Sequence, residues 1–573
     1  MAEEKDFYNV WRVNTETQEF QTEPVPDGWE QLGGRGLLAR ILVDEVDARC
    51  DPLGPNNKLI FAPGLLVGHK LSSCDRISIG GKSPLTGGVK EANAGGRTGR
   101  QLSLLGIKAL IIEGQPADEG WWVLHLTTEG VTFERRDDLP GLGVYDAAEK
   151  LIEHYGDNAA IALIGQGGER GLRAAGIQNL DKDQVPSRIA ARGGLGAVMG
   201  SKGLKAIVID GSQGDNPPAA HPDHLKETRQ DYIQALLAHP QTKVYQDYGT
   251  AAMTMMANSV GVLPTRNFSS GQFEKAENLS GEHLRETLLS RGKQCETTHA
   301  CMAGCVIQSS NVMTTEDGEV TVSPMEYETL GLVGSNLGLD TLDDVARINY
   351  LLNDLGLDTI EIGAALGVAA EAGFFEFGDP EGALKLVKEI KADTPLGRIL
   401  GNGAGMTGKI FNITRVPTVK NQAISAYDPR ALKGTGVTYA TSPQGADHTS
   451  GLTIRADIDH LRPEGQVELS RQSQYQMAGY DTLGACIFSG FGYGSAPELI
   501  PNLLNAIYDW DVGEDILTKL GRESIRLERK FNHMAGFTEA DDRLPEWMTR
   551  EPLPPHNTVF DVPGEELDKT FEE

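Results

Sequence analysis

Three of the six cysteines fall within eleven residues, Cys295-Glu-Thr-Thr-His-Ala-Cys301-Met-Ala-Gly-Cys305, and a fourth stands far along the chain in Asp481-Thr-Leu-Gly-Ala-Cys486. Three clustered thiols with one remote thiol constrain the fold strongly, because two distant loops must then meet around one centre. A [4Fe–4S] cube fits this pattern, since each iron takes one thiolate and the chain has to wrap it. A structural zinc also takes four thiolates, but its ligands usually come as two close doublets. Free cysteines in a core are the third reading, and spacing alone leaves all three open.

Length makes the rest of the frame. A chain of 573 residues exceeds one hydrophobic core, so roughly three or four domains are expected. Six cysteines in that length are no disulfide scaffold, which suits a reducing cytoplasm. The opening Met-Ala-Glu-Glu-Lys lacks the charged-then-apolar order of a secretory signal, and no apolar run of about 18 residues reads as a membrane span. A net charge of −29 argues against nucleic acid and anionic membranes as partners.

Residues 1–210 read as β-rich with glycine punctuation. Phe7 to Val13, Lys58 to Phe61, Lys108 to Glu113 and Ala159 to Ile164 have the short apolar runs of strands. The runs either side of Thr-Glu-Gly at 128–130 predict a hairpin, and a helix is expected near Asp146 to His154. The 68 glycines exceed the usual ~7% share and cluster in this part, suiting backbone brought close to something flat or anionic. None forms a strand–GxGxxG–helix unit, and Gly81-Lys82-Ser83 lacks the first glycine of a Walker loop, so nucleotide binding is set aside.

The linker Gly211-Ser-Gln-Gly-Asp-Asn-Pro-Pro218 marks a boundary, after which apolar spacing becomes helical. Domains of 1–210, 211–415 and 416–573 follow, the second with the cysteine cluster and the third with Cys486. Ser280 and Thr341 are expected helix caps, Thr315 to Gly318 a hairpin turn, and Thr359 to Ala372 a buried helix. Helices are expected near 501–508 and 512–531, while the acidic, proline-containing residues 551–573 should lie extended or frayed. No internal repeat of solenoid period is visible.

A set of short words then occurs in a fixed order: Leu32-Gly-Gly-Arg-Gly-Leu37, Ser83-Pro-Leu-Thr-Gly87, Glu91-Ala-Asn-Ala-Gly-Gly96, Ala191-Arg-Gly-Gly-Leu-Gly196, Leu263-Pro-Thr-Arg-Asn-Phe268, Tyr327-Glu-Thr329, Gly356-Leu-Asp-Thr359, Tyr427-Asp-Pro-Arg430, Gly445-Ala-Asp-His448 and Asp481-Thr-Leu-Gly-Ala-Cys486. Together they resemble the aldehyde:ferredoxin oxidoreductase family. The resemblance implies an α+β fold, a β-rich saddle followed by two mainly helical domains that enclose a tungsten (or molybdenum) bis-pyranopterin beside one [4Fe–4S] cluster.

The resemblance also implies residue roles. Arg76 and Arg188 would contact cofactor phosphate, and Asn93, Ala94 and Gly95 would lie near a Mg2+ that bridges the two phosphates. Asp481, Gly484 and Ala485 in one loop, and Asn353 and Asp358 in Asn353-Asp-Leu-Gly-Leu-Asp358, would meet the pterin rings. Ala485 stands where the family has Leu, and Asn353 where it has Asp. Lys420, in Val416-Pro-Thr-Val-Lys420, is placed with the cofactor contacts. Cys301, Cys305 and Cys486 take three cluster positions, but Thr298 occupies the fourth. Cys295 is expected to reach over, with His299 as the competing ligand. Glu328, or else Glu326, is the expected general base and His448 the proton donor.

Implied partners are ferredoxin or a small iron–sulfur subunit, with a flavin or NAD subunit reached through it, and an oligomeric assembly is expected. The implied activity is oxidation of aldehydes to carboxylic acids, or its reverse. The alternative inside the family is an aryl-CoA (benzoyl-CoA type) dearomatising reductase, for which Cys74 is the spare thiol near cofactor words. Outside that class stands a non-catalytic iron–sulfur protein.

Overall fold

The computed structural model describes residues 7–292 and 295–572. The first five residues, read above for a signal, and Glu573 lie outside the described residues. Among the described residues no helix is long and apolar enough to cross a membrane.

The front of the chain builds two six-stranded sheets. The first contains β1 (Asn9–Asn14), β2 (Glu19–Pro24), β3 (Leu59–Pro63), β4 (Ile77–Lys82), β5 (Val89–Ala94) and β6 (Ile107–Glu113), in the order β2-β1-β6-β3-β4-β5. The second contains β7 (Trp122–Thr127), β8 (Gly130–Arg135), β9 (Ala160–Leu163), β10 (Ile177–Leu180), β11 (Pro186–Ala190) and β12 (Leu204–Ile209), in the order β11-β10-β9-β12-β7-β8. Read from its hairpin edge, the second sheet repeats the strand order of the first. In both, one parallel pairing, β1 with β6 and β7 with β12, joins an antiparallel hairpin to the other strands. Helices fall at matching points too. Gly34–Glu45 and Val144–Tyr155 follow the hairpins, and Thr98–Leu104 and Leu195–Ser201 precede the last strands. The duplication is one of topology over about a hundred residues, far from any solenoid period.

The sheets pack face to face. Trp11, Val13, Phe61 and Ile79 from one meet Leu124, Leu126, Ile177 and Ile207 from the other in one buried cluster. The outer face of the first sheet lies under later helices, with Ile60, Ala109 and Ile111 packed among Leu483, Leu503 and Phe531. Helix Val144–Tyr155 covers the outer face of the second. Strands such as β6 are therefore buried on both faces, which is why Ile107–Glu113 reads as an unbroken apolar run rather than an alternating one. The glycines at 33–36, read as turn punctuation, instead open helix Gly34–Glu45. A Cβ on Gly34 would stand 2.1 Å from the Asp481 carbonyl oxygen, so the helix start needs glycine for close approach.

From Pro222 onward helices dominate. Ser280 and Thr341 cap helices Gly281–Arg291 and Leu342–Leu355 through His283 N and Asp344 N. Thr359–Glu371 is almost wholly buried, as its composition requires. Helix Gln466–Leu483, not foreseen, packs on Ile516–Ala535. A three-stranded sheet, β13 (Glu296–His299), β14 (Ser310–Thr314) and β15 (Val320–Val322), carries the thiol loop between its first two strands. The C-terminal stretch is not frayed: Leu553 and Phe560 are buried and Gly564–Asp568 is helical.

Candidate cofactor and active site

Two loops bring three thiols together. Cys486 N donates to the Ser73 carbonyl at 2.8 Å, and Ser73 Oγ lies 3.2 Å from Cys305 Sγ. Ser73 adopts a left-handed φ of 61° to make both contacts. A Cβ on Gly95 would stand 3.1 Å from Cys301 Sγ, so the backbone after β5 runs against that thiol. Burial pushes the Cys301 thiol up to about 12, with Cys305 and Cys486 adding to the rise and Arg188 and Arg76 opposing it. As whole residues, Cys301, Cys305 and Cys486 are half-buried.

Arg76 ties the Cys486 loop to β5. Its backbone N donates to Gly484 O at 3.1 Å, its Nη2 to Asn93 O at 3.1 Å and its Nε to Asn93 Oδ1. Its charge acts on Cys301, Cys486, Glu326 and Asp481 together. Arg188 donates from Nη1 to Ser310 Oγ at 3.0 Å and lies 3.9 Å from Glu326, while its Nε and Nη2 have no hydrogen-bond partner.

Each sheet meets one helix C-terminus backbone to backbone. Helix Gln466–Leu483 ends at Gly484, φ 75°, and a Cβ on Gly64 after β3 would stand 2.0 Å from Gly484 N. Helix Leu342–Leu355 ends at Gly356, φ 70°, and a Cβ on Gly165 after β9 would stand 2.4 Å from Leu355 C. The loops carrying Asp481 and Asp358 are thus placed at matching points of the duplicated sheets. Asp481 is raised to about 8 by burial and by Glu91, against the pull of Arg35 and Arg76. Arg35 holds Glu528 through Nε at 2.7 Å and reaches Asp481 at 3.3 Å. Asp358 Oδ1 caps the next helix at Ile360 N, whereas its Oδ2 stands 3.4 Å from Arg192 Nε without a hydrogen bond.

Glu328 and His448 meet each other from separate segments. Tyr327–Thr329 is a single helical turn that widens into a π-helix over Leu330–Gly334, an irregularity common at functional sites. Glu328 Oε2 accepts from Ala426 N at 2.7 Å, and Oε1 stands 3.4 Å from His448 Nε2. His448 Nδ1 lies 3.1 Å from Ser425 Oγ, so the ring is held from behind. Burial raises the Glu328 carboxyl above the ordinary range, with His448 and Arg192 opposing. Burial also pushes Asp447 upward, but Lys90, at 3.0 Å, and Arg192 outweigh it and keep that carboxylate ionised. Glu326 points elsewhere, toward Thr250, Ser310 and Arg188.

Not every expected residue joins the site. Cys295 hydrogen-bonds Thr314 Oγ1 at 2.8 Å and packs against the helical core, away from the other three thiols, because β13 runs extended between it and the loop. His299 turns both ring nitrogens to carboxylates, Nδ1 to Glu296 at 2.6 Å and Nε2 to Asp181 at 3.0 Å. Lys420 is engaged by Asp542 and the Ala440 carbonyl, each at 2.7 Å. Asn353 Nδ2 donates to Asn349, and its Oδ1 accepts from Gln178 Nε2. Cys74 is enclosed by Tyr232 and Tyr493. The sequence reading passed over Arg192, Lys90, Glu91 and Arg35. Two of them, Arg35 and Arg192, sit in Gly-Arg-Gly and Arg-Gly-Gly words, and a fixed cation between glycines was the available signal.

The residues fit the implied cofactors. Buried polar atoms are nearly always paired, yet Arg188 Nε and Nη2, Arg192 Nε, Glu91 Oε1, Asp358 Oδ2, Gln422 Oε1 and Glu328 Oε1 are not. These are donors for phosphate and acceptors for ring N–H groups. Known proteins point the same way. The family model described as the N-terminal domain of aldehyde ferredoxin oxidoreductase matches residues 10–211, and that of its domains 2 and 3 matches residues 227–573. The tungsten-containing aldehyde ferredoxin oxidoreductase of Pyrococcus abyssi is 34% identical, covering 95% of this chain and 92% of that protein. Its namesake in Thermococcus kodakarensis is 32% identical, with 96% and 93% covered. A solved structure of the active-site complex BamBC of benzoyl coenzyme A reductase shares the fold, with a TM-score of 0.80 over 99% of this chain and 93% of that one, at 19% identity. This chain belongs to the aldehyde ferredoxin oxidoreductase family.

Proposed function

We propose that this protein oxidises an aldehyde to the carboxylic acid, with water as co-substrate, two protons released and two electrons passed to ferredoxin or a small iron–sulfur protein. The observation that carries this reading is the Glu328–His448 pair, 3.4 Å apart, whose buried carboxylate oxygen has no hydrogen-bond partner. Arg76 and Arg188 would hold the pterin phosphates, with Mg2+ beside Asn93, Ala94 and Gly95. The Asp481 and Asp358 loops would receive the rings, and Cys301, Cys305 and Cys486 would hold an iron–sulfur cluster. A tungsten ion held by the two pterins supplies the two-electron acceptor.

The protein's own groups do the rest. Glu328, ionised, accepts the proton of the water or hydrate. His448 Nε2 donates toward the carbonyl oxygen while Ser425 fixes its ring. Tyr327, Tyr427 and Tyr439, all buried, wall the pair and exclude bulk water. The electron exit is short, because Ala303 and Gly304, between two cluster cysteines, are exposed. Met302 and Ala303 also line a cleft of about 530 Å³ with Arg97, Arg100 and Lys182.

The aryl-CoA reading loses its sulfur ligand, since Cys74 is sealed between two tyrosines and its thiol pushed up to about 12 by burial. Anaerobic purification, metal analysis and an aldehyde panel with a viologen acceptor test the proposal. Tungsten-containing protein that reduces viologen with aldehydes supports it. Metal-replete protein that ignores every aldehyde but consumes benzoyl-CoA overturns it, as does protein that contains neither tungsten nor molybdenum.

A further inference from the structure

We infer that the iron–sulfur cluster of this chain is held by three thiolates, from Cys301, Cys305 and Cys486, and that its fourth iron has no cysteine ligand. The inference rests on the cluster assignment proposed above and concerns how this chain departs from a four-thiolate site.

Each of the six thiols can be accounted for. Cys301, Cys305 and Cys486 influence one another's charge and share Ser73, Gly95 and Arg76 as neighbours. Cys74 is enclosed between Tyr232 and Tyr493. Cys50 is buried in the core beneath the first sheet, where Lys82 binds its carbonyl.

Cys295 is the remaining thiol, and strand geometry removes it. Its Sγ bonds Thr314 on β14. Arg188, which acts on Cys301, bonds Ser310 at the other end of the same strand. Thr314 and Ser310 are opposite ends of β14, about 13 Å apart at ~3.3 Å per residue, and the Cys295 thiol is bonded at the end away from Arg188. To bring Cys295 across, β13 would have to leave β14, breaking the Glu296–Val312 and His299–Ser310 pairings.

Non-thiolate substitution from the same loop fares no better. Thr298 stands where a thiolate is expected, and an uncharged hydroxyl is a poor ligand for iron beside thiolates. His299 has both ring nitrogens engaged by Glu296 and Asp181. A four-iron cluster bound there would have one iron without a protein thiolate, and that iron should be lost on mild oxidation. The balanced step is [4Fe–4S]2+ going to [3Fe–4S]+ and Fe2+, with one electron taken by added ferricyanide.

The test uses anaerobically purified holoenzyme, with iron and acid-labile sulfide counted and EPR spectra recorded after one equivalent of ferricyanide. Wild type, Cys295→Ser and Cys295→Ala should contain equal iron and sulfide, and all three should give the signal of an oxidised three-iron cluster. Thr298→Cys should keep its fourth iron and lose most of that signal, and Cys301→Ser should lose iron outright. Loss of iron in both Cys295 variants, at unchanged circular dichroism, overturns the inference while leaving the cluster in place. So does a wild type that keeps four irons through the ferricyanide step. Absence of iron and sulfide from the anaerobic wild type overturns the cluster assignment and this inference together.

Discussion

Glu328 Oε1 and His448 Nε2 face each other at 3.4 Å, and that carboxylate oxygen has no hydrogen-bond partner although it is buried. A carboxylate oxygen held at such distance without a hydrogen bond suits proton transfer to a substrate better than a structural ion pair. Positioned acid–base groups contribute about 10²–10⁴-fold to rate. Glu328→Gln and His448→Ala should each lower aldehyde turnover by at least about 10²-fold with tungsten and iron content unchanged, as read by metal analysis beside viologen assays.

Glu326, two residues away, supplies the contrast. It points to Thr250, Ser310 and Arg188 rather than to His448. Glu326→Gln should keep turnover within about tenfold of wild type. A loss matching that of Glu328→Gln would exchange their roles.

The pH profile follows from the direction of the Glu328 shift. Burial holds its carboxyl above the ordinary range, and a base works only when ionised. The rate should therefore fall on acidification at a pH above the usual carboxylate titration. In Glu328→Gln the residual rate should lose that acid limb, measured as kcat/KM across the acid-to-neutral range.

Arg188 has two buried nitrogens, Nε and Nη2, without a hydrogen-bond partner. A hydrogen bond to a charged group is worth about 1.5–3 kcal/mol, roughly tenfold or more in affinity. Arg188→Met should retain correspondingly less tungsten and pterin phosphate through gel filtration, with the apoprotein still folded by circular dichroism.

Glu361 gives a stability test independent of catalysis. Burial raises its carboxyl to about 7, with Asp358 adding to the rise and Arg192 opposing it. The native apoprotein then keeps a proton that the unfolded chain releases above the ordinary carboxylate pKa. Stability from this group is full at low pH and is lost as pH rises toward 7, by roughly 3 kcal/mol at most. Glu361→Gln should flatten that dependence in denaturant titrations of the apoprotein. An unchanged slope would remove Glu361 as its source.

Much of this was legible in the residues. Runs such as Ile107–Glu113 and caps such as Ser280 and Thr341 announce themselves through burial on both faces and local hydrogen bonding. Helix Gln466–Leu483 did not, because its buried side includes Gln466, Ser470, Gln474 and Asp481, polar groups that bond to other polar groups rather than to an apolar stripe. The glycines at 33–36 were read for close backbone approach, and the Asp481 carbonyl does approach Gly34, but the helix they open was not legible because glycine is a poor helix former. At the site, Glu328 and His448 were singled out from their words, and the structure sets them 3.4 Å apart. The position of Cys295 was not legible, since a cysteine count carries no strand register, and register is what sends its thiol to Thr314.

The repeated strand order has a consequence for damage. Gly64 against Gly484 and Gly165 against Gly356 are the same joint built twice, once for each half of the saddle. A methyl group wedged into one joint, as in Gly165→Ala, strains only its own half. Such a variant should hold one organic ligand firmly and the other loosely, so that a molecule with two grips fails one hand at a time.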